Sequence, residues 1–416
     1  MESLADAATV GAMKDTDFYQ QILGLVAPWK VAEVRLEMEA RRVTVRAEID
    51  AGTKWIDPKT QQPAHLHKWT ERRWRHMDTC QFETYIEARV PSVRYPDGKV
   101  EEVGVPWADR YQRVTRLLAQ AVIVWLEACG NVGKVAGVMR LDWTTVDGIM
   151  KAAVERGLQR RKAEPVEYAG IDEKSFRRGY LYASILTDLD KGRVWDLVEG
   201  RKAADAESLL ETLSEEQRAG VKATVMDMWA AFEAAVRSKM GGADIVYDKF
   251  HISWYLNKAV DEVRKAEHRE LMAKGRDTLK GTKYLWLRNF PDLRCEPSFR
   301  QLYAARLKTS RAWRLKESFE GFWDYRYKGP AEKFFRDWHA KVRRSRLEPM
   351  MKVAEMLANR FEGVLNYLKH RITNAASEGM NSLVARVVAN ARGLRSFASF
   401  RVRVLFFLGK LDLSIA

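Results

Sequence analysis

YAGIDEKSFRRGYLYASILTDLDKGRVWDLVEG, residues 168–200, decides the fold of this chain. YAGIDEKSF and LYASILTDLD alternate apolar and polar residues as strands do, GRVWDLVEG makes a third strand, and Leu189-Asp-Lys-Gly between the last two has the composition of a hairpin turn. Downstream the period changes. A helix is expected from about Asp205 to Leu213, then strand VKATVMD, helix MWAAFEAAVRSKM, a Gly-Gly turn, strand ADIVYDKF, and a long helix from about His251.

Three consecutive strands followed by helix, strand, helix, strand is the order of a ribonuclease H-like α/β unit. Residues 255–365 read as almost wholly helical and rich in Arg, Lys and aromatics, with Pro291, Pro330 and Pro349 as breaks; 373–416 reads as one or two helices. The expected class is thus α+β multidomain: a ribonuclease H-like core in two parts, 164–254 and 366–416, interrupted by an all-α insertion at 255–365.

Upstream of the core, 17–50 reads as a helical turn and two strands, 51–66 is turn-rich, and strand-like pieces follow in 81–90 and 100–105, so that 1–108 makes a small β-rich module. From 109 to 163 the pattern is helical. ADRYQRVTRLLAQAVIVWLEACG, NVGKVAGVMR and WTTVDGIMKAAVERGLQRR, with Leu141-Asp142 before the last, have the layout of a helix-turn-helix, for which an ordinary helical hairpin is the bland alternative.

The chain has 416 residues and a formal charge of +15, which points first to a polyanion. Candidate DNA-binding side chains are Trp143, Thr144, Thr145, Lys151, Arg160 and Arg161 on the last helix of the helix-turn-helix, Arg72 and Arg73 in the β module, and Lys174, Arg177 and Arg178 in the first hairpin of the core. Three scattered cysteines make neither a disulfide framework nor a four-cysteine zinc site. No apolar run is long enough for a bilayer and no signal pattern opens the chain, so a cytoplasmic location is expected.

Asp172 lies inside the first strand of the core and Asp227 closes the fourth, positions where a carboxylate is costly to bury without a partner. In the expected sheet these strands are neighbours. Glu378, behind Asn374 and Ser377 at the start of a late helix, could complete a set of three. Three carboxylates suit hard oxygen-liganded cations, Mg²⁺ or Mn²⁺, and two such ions about 3.5–4 Å apart serve phosphodiester hydrolysis and strand transfer. Taken singly, Asp172 could be strand-end charge, Asp227 a helix cap and Glu378 a favourable helix start. Asp248 and His251, in Asp-Lys-Phe-His, form an auxiliary pair whose bland reading is again a cap. Trp254, Trp286, Trp323 and Trp338 are read first as core, with one of them available to stack on an unpaired end.

GIDEKSFRRGYLYASILTDLDKGRVWDLVEGR, VMDMWAAF, IVYDKFHISWYLNKAVDEVR, RSRLEP and TNAASEGMNSLVARVVANARGLRSFASFRVRVLF together resemble the ISL-three family of bacterial insertion-sequence transposases. The resemblance implies catalytic, metal-holding Asp172, Asp227 and Glu378, the last within a Glu-Gly-x-Asn pattern. It also implies binding of terminal inverted repeats and target DNA, in a homodimer or higher oligomer. FYQQILGLVAPWKVAEVRLEMEARRVTV and WTERRWRHMDTCQFETYIEARVPSVRYP resemble the family's N-terminal module, which usually carries a zinc ribbon. Here the paired cysteines around TKWIDPKTQQP are missing and Tyr95 stands where another is expected. With only Cys80, His65, His67 and His76 nearby, the module is expected to hold its shape without zinc. The rival readings are a non-catalytic, domesticated DNA-binding regulator, and a ribonuclease H-like nuclease acting on RNA or branched substrates.

Overall fold

The computed structural model describes residues 13–57, 60–177, 181–293, 296–372, 375–391, 393–394 and 396–415. The chain divides into two compact units, Met1–Gly157 with Leu413–Ala416, and Leu158–Asp412.

The first unit opens with α1 (Asp15–Ile22) and a sheet built from β1 (Trp29–Glu37), β2 (Arg42–Ile49), β3 (Trp55–Ile56), β4 (Pro63–Thr79), β5 (Phe82–Arg94) and β6 (Val100–Glu102). Its order is β1-β2-β5-β4-β3, with β6 on β5, and β2 and β5 run parallel. Its core is Val45, Ile86 and three tryptophans, with Trp107 edge-on to Trp29 at 4.9 Å and to Trp74 at 5.4 Å. The 17-residue β4 is not legible in the sequence, where 51–66 reads as turn and the next strand-like piece begins at 81. The reason is that β4 carries charge on both faces. Cross-strand partners offset it: Arg72 pairs with Glu102 at 2.8 Å, and Arg73 lies 3.8 Å from the Tyr85 ring centre.

Three helices follow, α2 (Arg116–Cys129), α3 (Val132–Met139) and α4 (Trp143–Gln159). Helix α2 starts later than the 109 expected, because Thr115 caps it by accepting from Leu118 N, and Gly130 at φ 64° ends it. Asn131 then caps α3 through Lys134 N. The caps are sequence-local, which is why the helix-turn-helix was readable.

The second unit contains β7 (Tyr168–Arg177), β8 (Leu181–Asp188), β9 (Arg193–Glu199), α5 (Ala203–Leu210), α6 (Glu215–Gly220), β10 (Ala223–Met226), α7 (Ala230–Lys239), β11 (Asp244–Tyr247) and α8 (Lys249–Met272). The strand positions match the expectation; the short α6 is an addition, opened by a capping box between Ser214 and Gln217. Sheet order is β11-β10-β7-β8-β9. β7, β8 and β9 pair antiparallel, whereas β10 runs parallel to both β7 and β11. The fully buried ATVM of β10 reads as a parallel central strand should.

The helical segment continues with α9 (Lys283–Leu287), α10 (Phe290–Leu293), α11 (Pro297–Ala304), α12 (Lys308–Glu320), α13 (Lys328–Ser345), α14 (Glu348–Ala358) and α15 (Phe361–His370). Glu267 of α8 accepts from the backbone N–H groups of Lys308 and Thr309, both at 2.7 Å, and so anchors the start of α12. α15 lies on β11 so closely that a Cβ at Gly363 would overlap the Tyr247 ring. Finally α16 (Ala375–Asn390) and α17 (Phe397–Leu408) return to the sheet, α16 against β7 and α17 against β9.

Candidate active site

Strand register builds the site. Met226 of β10 is level with Ile171 of β7 and with Tyr247 of β11. Asp172, Asp227 and Asp248 each follow one of these three residues, so three carboxylates stand at one level across three neighbouring parallel strands. A cleft there is lined by Gly170, Asp172, Thr187, Asp227, Asp248, His251, Met380 and Asn381.

Asp248 is buried. Its Oδ1 accepts from Phe250 N at 2.6 Å, capping α8, while its Oδ2 lies 3.0 Å from His251 Nδ1. Asp248 therefore caps a helix and, in the same place, lines the cleft. The same His251 Nδ1 lies against Asp227 Oδ1, a buried oxygen that receives no aligned hydrogen bond. Burial pushes the Asp227 carboxyl upward, His251 draws it down, and the charges of Asp172 and Asp248 push it further up. Burial works against the His251 proton, but the two adjoining carboxylates, Asp227 and Asp248, outweigh it and carry the imidazole up to about 10. The histidine is thus a cation at neutral pH, held between two carboxylates.

Among the described residues, Asp227, Asp248 and His251 are the group close enough to share an ion, with ligand atoms within 4.8 Å of one another. Asp172 lines the same cleft. Its Oδ1 accepts from Glu173 N at 2.7 Å and its Oδ2 from Asn381 Nδ2 of α16. Sequence reasoning did not assign Asn381 a role, although its spacing of three from Glu378 on a helix was the available signal.

The other expected residues fall as follows. Lys174 is half-buried on β7 and, two residues from Asp172, shares its face. Arg177 and Glu378 belong to β7 and α16, their side chains lying outside what is described, and Arg178 lies outside the described residues. In the first unit Trp143, Thr144 and Lys151 are exposed on α4 and Thr145 is half-buried; Lys151 pairs with Asp147 at 2.8 Å. Arg73 is within 3.4 Å of Glu87. Arg160 and Arg161 are engaged inside the second unit. Arg160 meets Asp412 at 3.3 Å, and Arg161 donates to Trp195 O at 2.8 Å with its guanidinium 4.5 Å from that ring. Of the four tryptophans read first as core, Trp286, Trp323 and Trp338 are core, but Trp254 is 48% exposed.

Comparison with known proteins sets the chain among insertion-sequence transposases. Residues 169–404 match the DDE transposase family model of ISL3 elements, and residues 104–154 the helix-turn-helix domain of transposase family ISL3. Residues 60–97 match the zinc-finger of transposase IS204/IS1001/IS1096/IS1165. The chain is 27% identical over 350 residues to the transposase for insertion sequence element IS1001 of Bordetella parapertussis, covering 82% of this chain and 85% of that one. It is 25% identical over 353 residues to the transposase for insertion sequence element IS1557 of Mycobacterium tuberculosis, covering 78% and 79%. With well over half its length inside one family model, the chain belongs to the ISL3 family of insertion-sequence transposases.

Proposed function

We propose that this transposase cuts and joins DNA at a ribonuclease H-like site formed by Asp172, Asp227 and Glu378, and that the helical segment 255–365 is an insertion within that core. The observation that carries the reading is the register of β7 and β10, which sets Asp172 beside Asp227 on adjacent parallel strands, with Asn381 of α16 donating to Asp172. Glu378 lies one turn before Asn381 on α16, the spacing that puts two residues on one side of a helix.

The donor set fits a hard divalent cation. Asp172, Asp227 and Asp248 bring carboxylate oxygens to one cleft, and Asp227 Oδ1 is buried there without an aligned donor. Mg²⁺ or Mn²⁺, two per site, would supply charge neutralisation and activation of the attacking and leaving oxygens. The chain's own residues do the positioning. Asn381 fixes one oxygen of Asp172, Asp248 holds the start of α8, and through it His251 presents a cationic ring at the cleft. Lys174, on the Asp172 face of β7, is placed to neutralise a phosphate. The exposed face of α4, with Trp143, Thr144 and Lys151, reads the element's terminal inverted repeats in the major groove; Arg72 and Arg73 on β4 contact the backbone. Two copies act together, one for each end of the element.

The test is cleavage and strand transfer on the element's own ends by the purified chain with Mg²⁺ or Mn²⁺. Asp227→Ala should abolish both while leaving end binding intact. Activity surviving in Asp227→Ala would overturn the assignment.

A further inference from the structure

Phe250, Trp254 and Lys258 recur every four residues along α8, all exposed, and the row begins at the cleft. Phe250 is 53% and Trp254 48% exposed, although Ile252 between them and Leu256 just beyond are fully buried, so α8 is firmly seated and its other face holds the two rings in solvent. Phe250 meets the His251 ring edge-on at 5.8 Å, and His251 is the residue lodged between Asp227 and Asp248. Farther along, Trp254 lies edge-on to Tyr255 at 5.0 Å, and the Lys258 ammonium sits 5.2 Å from the Trp254 ring.

A single exposed aromatic is ordinary. Two in register with a lysine, running out from the carboxylates of an enzyme that acts on DNA, have a more specific use. Aromatic faces paired with cations bind bases by stacking, independent of sequence. A helix rises 1.5 Å per residue, so the two platforms stand about 6 Å apart. That is wider than the roughly 3.4 Å spacing of nucleotides along one strand of duplex. Bases still paired and stacked cannot offer their faces at that spacing; an unpaired, extended strand can.

We propose that Phe250 and Trp254 stack on unpaired bases of the DNA strand entering the carboxylate cleft, with Lys258 on the adjoining phosphate, so that the substrate at the site is locally melted. This rests on reading the cleft as the cleavage site. It adds two positioning residues and a strand state to that reading.

The experiment uses the full chain in EDTA, so that no cleavage enters the readout. Fluorescence anisotropy measures binding to an oligo(dT) single strand of about 20 nucleotides and to a duplex of the same length and arbitrary sequence. Phe250→Ala and Trp254→Ala should each weaken oligo(dT) binding by roughly tenfold to a hundredfold, with duplex binding and melting temperature unchanged. Trp254→Phe should retain most of the affinity. Tyr284→Ala, which removes a 74% exposed ring on α9, should change nothing. In a second measurement, oligo(dT) carrying 5-iododeoxyuridine should photo-crosslink to Phe250 or Trp254. Unchanged oligo(dT) binding in both alanine variants, equal losses on duplex and single strand, or crosslinks found only elsewhere would each overturn the proposal. Asp227→Ala should bind oligo(dT) no worse than the parent, so failure of the cleavage assignment and failure of the stacking assignment give different results.

Discussion

His76 makes the first unit acid-labile, and the size of the effect can be worked out. The ring is buried on β4, and its Nδ1 is 2.9 Å from the hydroxyl of Thr115, the residue that caps α2. Burial, aided by the positive charge of Arg75 beside it, lowers the imidazole from 6.5 to about 4. The neutral form is therefore the one the fold accepts. Above pH 6.5 the group is neutral whether the chain is folded or unfolded and contributes no pH dependence. As pH falls from 6.5 toward 4 the unfolded chain takes up a proton that the folded chain refuses, so stability is lost. At 1.36 kcal/mol per pH unit over that window, the loss reaches about 3 kcal/mol near pH 4, a large part of a typical domain's 5–15 kcal/mol. The assay is urea unfolding of the parent and His76→Gln at several pH values between 7 and 4. Subtracting the variant's curve removes every other titrating group. The parent should fall relative to the variant across the window and level off below it. Parallel curves would refute the reasoning, since a histidine with an ordinary affinity for its proton gives no difference. Because His76 joins the sheet to the helix that opens the helix-turn-helix, hydrogen exchange should rise first around Thr115.

Other outcomes follow from particular contacts. Asn381→Ala should slow strand cleavage by an order of magnitude or more with end binding unchanged, because it frees Asp172 without touching unit one; equal cleavage rates would remove Asn381 from the site. Gly363→Ala should cost about 1–3 kcal/mol in urea unfolding, since the added methyl overlaps the Tyr247 ring in the α15–β11 contact. The 60–97 hairpin should need no zinc: atomic absorption on the purified chain should find it substoichiometric, and a chelator should leave the melting of the first unit unchanged. Tightly bound zinc with a chelator-sensitive transition would reverse that expectation.

The core strands were legible because their signals are local. Alternation in 168–199, the Leu189-to-Gly192 turn and the all-apolar ATVM each say strand within a few residues. The two helix caps at Thr115 and Asn131 are equally local. What stayed hidden depends on partners distant in sequence. β4 looks too charged for a strand until Glu87 and Glu102 are seen across from Arg73 and Arg72. Asn381 touches Asp172 across 209 positions. Arg161 resembles a DNA contact at the end of α4, yet its cation lies on Trp195, a residue 34 positions on. Asp248 invited two readings that competed on paper; in three dimensions its two oxygens separate them, Oδ1 on the helix start and Oδ2 on His251.

The level register of Ile171, Met226 and Tyr247 gives the carboxylate cleft a strict parity. Side chains alternate between faces at every residue along a strand. Insertion or loss of one residue ahead of the aspartate in β7, β10 or β11 would turn that carboxylate to the opposite side of the sheet, while the strand could still pair and the unit still fold. A copy of this gene that had drifted by one codon in such a strand would yield a protein able to occupy DNA ends and unable to cut them. Mobile-element copies that lose activity by single-codon changes in these three strands would therefore become competitors of the intact enzyme at the same ends, not merely silent passengers.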